Sequence, residues 1–424
     1  MSPDADADLA DVAYVKAIEL LRQSYVAEGY VASSAREHYA GVWARDALLT
    51  SLGANLTGLE ELLTASRRTL ESLASVQAPL GQVPNAYWPA RQYWDWGEAG
   101  SLDATALFVI AAWEHHKAAP DDDFLARQWP ALVKAFTWLR YQDPANFGLV
   151  CSPQAADWMD STLTRSGLVF YLNVLYYWAA RAMASIGRRL GERWDDTADD
   201  IAFKIDLLFW PEDPDAYIRL LRHVAYPPGA TVEFPHPASL AAYRDVDRPR
   251  HHYLSHVTYG TFVDRCDVLA HALAVLCGVA DRTRASAVMR HLDASGVASP
   301  YPAKCWSEPE LPEAGPWGLV QQQAERFQAE QWRNPPFRYH NAGVWPFIGG
   351  FYVAALHACG FDELARATLD RLAAANRVGE TAPWEFREWL HGDTGAVGGA
   401  AMQAWNAGAY VIAYHAVRHG TILG

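Results

Sequence analysis

Residues 344–377, VWPFIGGFYVAALHACG followed at once by FDELARATLDRLAAANR, decide the fold. In the first half apolar residues fall on every side of a helix, and only His357 breaks the run. In the second half Leu364, Thr368, Leu369 and Leu372 recur at helical spacing, and charged residues fill the rest of the circumference. A helix that is apolar all round is buried, and one with a charged face lies at a surface. Gly360 and Phe361 leave room for little more than a turn between them, so the two pack as a hairpin with one inner and one outer member.

The pattern recurs. Helical length and i, i+3, i+4, i+7 apolar spacing predict helices at about 8–28, 46–55, 59–77, 101–118, 121–142, 167–190, 193–210, 264–279, 281–294, 344–360, 361–377 and 403–419. Segments 167–190, 344–360 and 403–419 are of the inner kind, and 59–77, 193–210, 281–294 and 361–377 carry a charged face. Several start at residues suited to capping, such as Ser101 ahead of LDATALFVIAAWEHH. Strand alternation is scarce. Six inner and six outer helices, paired as hairpins, make an all-α (α/α)6 barrel. An open solenoid would repeat every 34 to 47 residues or so with recurring signature positions, and none recur here. Residues 1–424 are read as one such domain, with irregular insertions at about 211–258, rich in Pro and His, and at 297–340, rich in Pro and aromatic residues.

The bulk numbers exclude several classes of function. A net charge of −14 argues against nucleic acid and anionic membranes, which need a basic face. No stretch approaches the roughly 18 apolar residues of a membrane span, and the acidic N-terminus has no signal-peptide core, so a cytoplasmic location is expected. Cys151, Cys266, Cys277, Cys305 and Cys359 are dispersed, without a CxxC pair, and indicate neither a disulfide framework nor a zinc site. The pairs His115–His116 and His251–His252 each point to opposite sides of their element, so neither is expected to chelate; no metal and no cofactor is expected. The sequence leaves a homo-oligomer open. Eighteen tryptophans are far more than a core of this size needs, and indole faces stack on the C–H faces of sugars.

Loops at helix ends carry the chemistry: VWARDALL (42–49), YWDWGEAGSLDAT (93–105), ADWMDSTLTRSG (156–167), YGTFVDRCD (259–267), FRYHNAGVWPF (337–347) and WEFREWLHGDTG (384–395). Each mixes Trp or Tyr with Asp, Arg or Glu. Capping accounts for any one Asp, not for the combination in six places. Sugar hydroxyls need Asp and Arg as hydrogen-bonding partners and an aromatic floor, which points to a small carbohydrate substrate.

These stretches resemble the alkaline/neutral invertases. The Arg-Tyr-His-Asn run before Trp-Pro and a helix, the Glu-containing aromatic stretch ending in Thr-Gly, and the Gln-x-Trp of AMQAWNAGAY stand in the same order. VWARDALL, GSLDAT and DWMDST are similar to motifs shared with amylo-α-1,6-glucosidases and processing α-glucosidases. The resemblance runs from about residue 36 to 418 and implies an (α/α)6 barrel with an inverting glycoside hydrolase activity. It places Asp160 as general acid. It places Glu388 as general base, because Glu388 stands six residues before Thr394 and Glu385 nine; Glu385 is then a neighbour that binds sugar or raises the pKa of Glu388. It also implies that Arg45, Asp46, Asp103, Arg338 and His340 grip hydroxyls and that Trp43, Trp345 and Trp405 are platforms or walls, with Trp158 beside the acid. Each has a plainer reading: Arg45–Asp46 as an ion pair, Asp103 as a helix cap, His340 as a satisfied core residue, the tryptophans as core.

Inversion needs a protonated acid at the glycosidic oxygen and an ionised carboxylate that activates water on the opposite face, roughly 6.5–9.5 Å away. Burial beside Trp158 and Met159, and the charge of Asp157, would keep Asp160 protonated. Where the invertases read Arg-Asp-Phe-Val, this chain reads Arg45-Asp46-Ala47-Leu48, so fructose as leaving group is less secure than the sugar site. Sucrose or another small α-glucoside is the expected substrate. The competing readings are a sugar epimerase working through His251, His252, His340 and His391, and a non-enzymatic helical scaffold.

Overall fold

The computed structural model describes residues 8–35, 39–97, 99–161, 165–213, 215–216, 218–220, 237–258, 261–311 and 334–423. Helices form at all twelve expected places. They are α1 (Leu9–Gln23), α2 (Ala44–Leu56), α3 (Glu60–Ser75), α4 (Leu102–Ala118), α5 (Asp122–Arg140), α6 (Phe170–Leu190), α7 (Ala198–Phe209), α9 (Val268–Leu276), α10 (Arg282–Ala294), α11 (Pro346–Ala358), α12 (Asp362–Arg377) and α13 (Ala404–His419). A further short helix, α8 (Pro237–Arg244), lies in the first expected insertion. The remainder of that insertion is described in part, and residues 312–333 of the second fall outside the described residues.

The inner helices close a ring. α2 packs on α4, α4 on α6, α6 on α9, α9 on α11, α11 on α13, and α13 back on α2. α3, α5, α7, α10, α12 and α1 lie outside them, each against one or two inner neighbours. The expected division holds: Ala44 to Asn55 of α2 are buried without exception, whereas α12 buries Ala365, Thr368, Leu369, Leu372 and Ala373 and exposes its charges. One apolar cluster runs through the whole ring.

Closure depends on small residues. A Cβ placed on Gly53 of α2 would lie 1.9 Å from the carbonyl oxygen of Gly408 in α13, and one on Gly350 of α11 would lie 2.3 Å from that of Ala409. The inner helices therefore meet backbone to backbone on both sides of α13.

Short antiparallel ribbons cross the mouth at which the inner helices begin. β3 (Val42–Trp43), β4 (Ala86–Trp88) and β5 (Tyr93–Asp95) form one sheet; β6 (Cys151–Ser152), β7 (Gly167–Val169), β8 (His256–Thr258) and β9 (Thr261–Val263) form another. β10 (Trp389–Leu390) pairs with β11 (Val397–Gly398), and β1 (Tyr25–Val26) with β2 (Gly29–Tyr30). Strands of two or three residues are too short for alternation to register. β7 also takes the first residues expected for the helix at 167–190. Ser101 is the N-cap of α4, as expected, but its hydroxyl donates to Asp103 Oδ1 at 3.0 Å rather than accepting from a backbone amide.

The glycine seam makes a prediction. Gly53→Ala forces α2 and α13 apart and lowers stability by about 1–3 kcal/mol, the usual cost of overpacking. Urea unfolding followed by circular dichroism should show the shifted midpoint; an unchanged midpoint would mean that the seam is looser than described.

Candidate active site

The starts of the inner helices bring the motif residues to one mouth. Arg45 and Asp46 stand in the first turn of α2 and Asp103 in the first turn of α4. Asp157 to Asp160 lie in the loop before β7 and α6, and Asp267, Trp345 and Gln403 are the N-caps of α9, α11 and α13. Glu388 immediately precedes β10. The two loops nearest Glu388 are conformationally costly. Phe337, Tyr339 and Ala342 in one, and Trp384 and Phe386 in the other, have φ between 43° and 69°. For non-glycine residues this costs of order 1–3 kcal/mol each and tends to mark functional loops.

Two arginines neutralise the deepest acids. Arg45 does not pair with its neighbour Asp46. It donates to Asp103 instead, Nε to Oδ2 at 2.5 Å and Nη2 to Oδ1 at 3.3 Å. Asp103 is fully buried and also receives the Ala104 amide at 2.8 Å and the Tyr171 hydroxyl at 3.4 Å. Its oxygens are therefore engaged within the protein, and the expected grip of Asp103 on a sugar hydroxyl gives way to a role beneath the site. Arg165 donates to Asp157 at 2.7 Å and, on its other side, to Asp267. Asp157 in turn accepts the Met159 amide at 2.8 Å, which fixes the turn that presents Asp160. Arg165 stands in its motif without an expected role; its partners come from elements distant in sequence and no spacing reveals them.

Asp160, Asp46 and Glu388 are left without a cation of their own. Asp160 is exposed as a residue, although its carboxyl sits among enough protein atoms to be desolvated. Burial therefore pushes its pKa up to about 6; Arg45 opposes this, and Asp103 and Asp157 add to it. Asp46 is 8% exposed, meets no other side chain within hydrogen-bond distance among the described residues, and is pushed by burial up to about 7 despite Arg45. Glu388 is also 8% exposed. Burial raises it above the usual carboxylate range, while the Ala400 amide at 3.0 Å and the Tyr39 hydroxyl at 3.2 Å favour its ionised form, and the nearby Asp160 charge raises it further. Glu388 is thus aimed by two donors, and Asp160 carries no side-chain partner among the described residues.

Glu385 does something else. Burial works against its ionisation, but the Thr381 hydroxyl (2.5 Å) and the amides of Glu380 (2.8 Å), Thr381 (2.8 Å) and Ala382 (2.9 Å) outweigh it and hold it well below the usual range. Arg387 pairs with it as well. Both oxygens are committed to the 380–382 turn, so Glu385 is a fastening for the loop that carries Glu388, and the expected sugar contact or pKa effect is not supported. A cavity of about 960 Å³ opens alongside, lined by Tyr39, Trp384, Glu388, Gly399 and Met402 among others.

The aromatics divide into two groups. Trp158, Trp345 and Trp405 are 3%, 1% and 6% exposed and form one block with Phe347. They are walls, and Trp345 has no face left for a sugar. The indole N–H groups of Trp158 and Trp405 have no partner, as has that of Trp43. Trp43 is half-buried and meets Tyr39 edge-on at 5.6 Å and Trp88 at 5.7 Å, and Trp88 meets Tyr93 at 5.5 Å. A row of rings therefore leads from Glu388 through Tyr39 to the exposed Tyr93. Trp43 is the platform this geometry supports. Tyr39 and Trp88 were not foreseen, although the aromatic density around 87–96 signalled the row.

His340 is buried, its Nδ1 lies 2.9 Å from Ser161 Oγ, and it stacks on Tyr339 at 4.2 Å. Burial keeps it neutral. It is the satisfied core residue of the plainer reading. Arg338, two positions earlier, is exposed, and no described side chain pairs with it. His391 Nδ1 accepts the Asp393 and Thr394 amides at 3.2 Å, while His251 and His252 pack against His291 of α10. His340, His391 and the His251–His252 pair have different partners, so among the described residues the four histidines of the epimerase reading do not form one centre.

Residues 43–406 match the family described as mannosylglycerate hydrolase MGH1-like glycoside hydrolase domain. The chain belongs to this family of glycoside hydrolases. No sequence relative matches among curated proteins. Among solved structures it is similar to a GH63 mannosylglycerate hydrolase from Thermus thermophilus, crystallised with Tris and D-glycerate, at 16% identity and TM-score 0.64, covering 94% of this chain and 99% of that one. It is also similar to the glucoamylase of Hormoconis resinae (12% identity, TM-score 0.62, 98% of this chain and 74% of that). A GH78 rhamnosidase of Bacillus sp. GL1 matches at 17% identity and TM-score 0.59, with 97% of this chain on 35% of that. These likenesses bear out the barrel, and the family bears out the resemblance to (α/α)6 glycoside hydrolases drawn from the motifs. Among the described residues no helix is long and apolar enough to cross a membrane.

On the acid and base roles that the motif resemblance implies for Asp160 and Glu388, three outcomes are expected. Asp160→Asn and Glu388→Gln each lower kcat by about 10²–10⁴-fold, the usual worth of a general acid or base, with circular dichroism unchanged; full turnover in either would remove that residue from the chemistry. The acid must be protonated, so kcat/KM falls as pH rises through about 6. The base must be ionised, so kcat/KM also falls at low pH. Tyr39→Phe removes a donor that favours ionised Glu388 and moves that acidic limb to higher pH; an unmoved limb would show that the hydroxyl does not act on Glu388.

Proposed function

We propose that this protein is an inverting glycoside hydrolase of small α-linked glycosides, with Asp160 as general acid and Glu388 as general base. The observation that carries the reading is the contrast between the two carboxyls. Asp160 is exposed, has no side-chain hydrogen-bond partner among the described residues and is raised to about 6, as a group that must hold and deliver a proton requires. Glu388 is held at both oxygens by donors that favour the carboxylate, as a group that must take a proton from water requires.

In the proposed reaction Asp160 protonates the glycosidic oxygen as its bond to the anomeric carbon breaks. Glu388 takes a proton from a water that attacks that carbon from the opposite face. Configuration inverts, and the two carboxyls finish with exchanged protonation states. Asp46, raised and without a side-chain partner, is the natural acceptor for a sugar hydroxyl, with Trp43 beside it as the apolar face.

The family description and the Thermus relative favour a hexose joined to a small acid such as glycerate; sucrose and other α-glucosides are the second choice. Exposed, unpaired Arg338 is the side chain to test for the acid's carboxylate. Proton NMR during the first minutes of reaction separates the possibilities, using mannosylglycerate, glucosylglycerate, sucrose, trehalose and maltose. The expected result is hydrolysis of a hexosylglycerate with the β-anomer of the sugar appearing first. First appearance of the α-anomer would mean retention and overturn the assigned roles, and cleavage of sucrose alone would return the substrate to the invertase type.

A further inference from the structure

Beside the start of α9, three metal-ligating side chains from separate parts of the chain converge. His252 precedes β8, Cys266 immediately precedes the N-cap of α9, and His291 lies in the last turn of α10. One ligand atom from each lies within 4.8 Å of the others. A tetrahedral ion with bonds of about 2.0–2.3 Å holds its ligand atoms about 3.3–3.8 Å apart, so the side chains must rotate inward by about an ångström to close on one ion.

The surroundings supply what such a site needs. Asp264 Oδ1 lies 2.8 Å from His252 Nε2 and is itself gripped by Arg250 at 2.5 and 2.7 Å. A carboxylate behind an imidazole is the arrangement that orients a ligating histidine, and a metal on Nδ1 would leave this bond intact. The rings of His252 and His291 lie face to face, with centroids 4.6 Å apart, and would have to turn edge-on so that each ring plane contains the ion. Cys266 is 2% exposed and closes the inner side, whereas both histidines are half-buried and leave one side open to water. His271, also close to Cys266, is committed elsewhere. Its Nε2 accepts the Tyr253 amide at 2.9 Å, so Nδ1 is the protonated nitrogen and donates to the Asp267 carbonyl at 2.5 Å.

We propose that His252, Cys266 and His291 bind a zinc ion, with water as fourth ligand. Mixed imidazole and thiolate donors suit zinc, and exclude magnesium and calcium, which take oxygen. On binding, Zn²⁺ replaces the thiol proton, which leaves to solvent. The ion ties the outer helix α10 to the start of the inner helix α9 and to the segment entering β8. Adjacent histidines do not chelate together, which is why neither the His251–His252 pair nor the scattered cysteines suggested a site; one histidine of that pair is used, with partners 14 and 39 residues onward.

The test uses the full chain after treatment with a chelator and dialysis, titrated with Co²⁺ and with Zn²⁺. The expected result is one equivalent bound, a thiolate-to-cobalt charge-transfer band, and a rise in Tm with zinc. Cys266→Ser abolishes the band. His291→Ala, at the half-exposed end of an outer helix where folding is little affected, weakens zinc binding by tenfold or more. Cobalt binding without the band, or zinc affinity unchanged in His291→Ala, would overturn the proposal even if Cys266→Ser does not fold.

Discussion

The backbone contact that closes the inner ring sets the rest of the structure. α13 touches α2 at Gly408 and Gly53 and touches α11 at Ala409 and Gly350, with no side chain between. That closeness keeps the inner helices short of space at their waist and gathers their N-terminal ends around one mouth. The ribbons β3–β5 and β6–β9 brace that mouth, and the loops between ribbons and helices carry the polar residues. A site built this way draws one or two residues from each of many helices, so its members are far apart in sequence.

Charge then decides which acids react. Burying carboxylates is costly unless they are paired. Arg45 is spent on Asp103, and Arg165 on Asp157 and Asp267. The carboxyls that remain, Asp160, Asp46 and Glu388, share the mouth without a cation. Burial raises all three. What separates Asp160 from Glu388 is hydrogen bonding: Tyr39 and the Ala400 amide favour a charged Glu388, and no side chain does so for Asp160. Glu385, three residues away, shows the opposite extreme, a carboxylate so well supplied with donors that it has nothing left to offer a substrate.

The barrel was legible because its physics is local. Inner and outer helices differ in how far round the apolar residues extend, and this shows in segments such as 344–360 and 361–377 without knowledge of their neighbours. The ribbons were not legible, since two or three residues show no period. Asp160 and Glu388 came from motif position, and the environment expected for Asp160, burial plus the Asp157 charge, is the one found. The failures are of one kind. Asp103 and Arg45 were read as separate sugar contacts because their mutual pairing joins positions 58 apart. Trp345 is left open between platform and wall, because sequence does not distinguish a tryptophan facing a cavity from one enclosed by other rings. Spacing from Thr394 singles out Glu388 over Glu385, but the turn at 380–382 that folds back onto Glu385 and fixes its role shows only in the structure.

The division of labour between the two carboxyls is the central claim, and a substrate whose leaving group needs no proton tests it most directly. Hydrolysis of an α-glycosyl fluoride, of the sugar the enzyme accepts, should proceed at close to the wild-type rate in Asp160→Asn, because fluoride departs unaided, and should remain crippled in Glu388→Gln, because water still has to be activated. Equal loss in both variants, or rescue of Glu388→Gln in place of Asp160→Asn, would contradict the assignment.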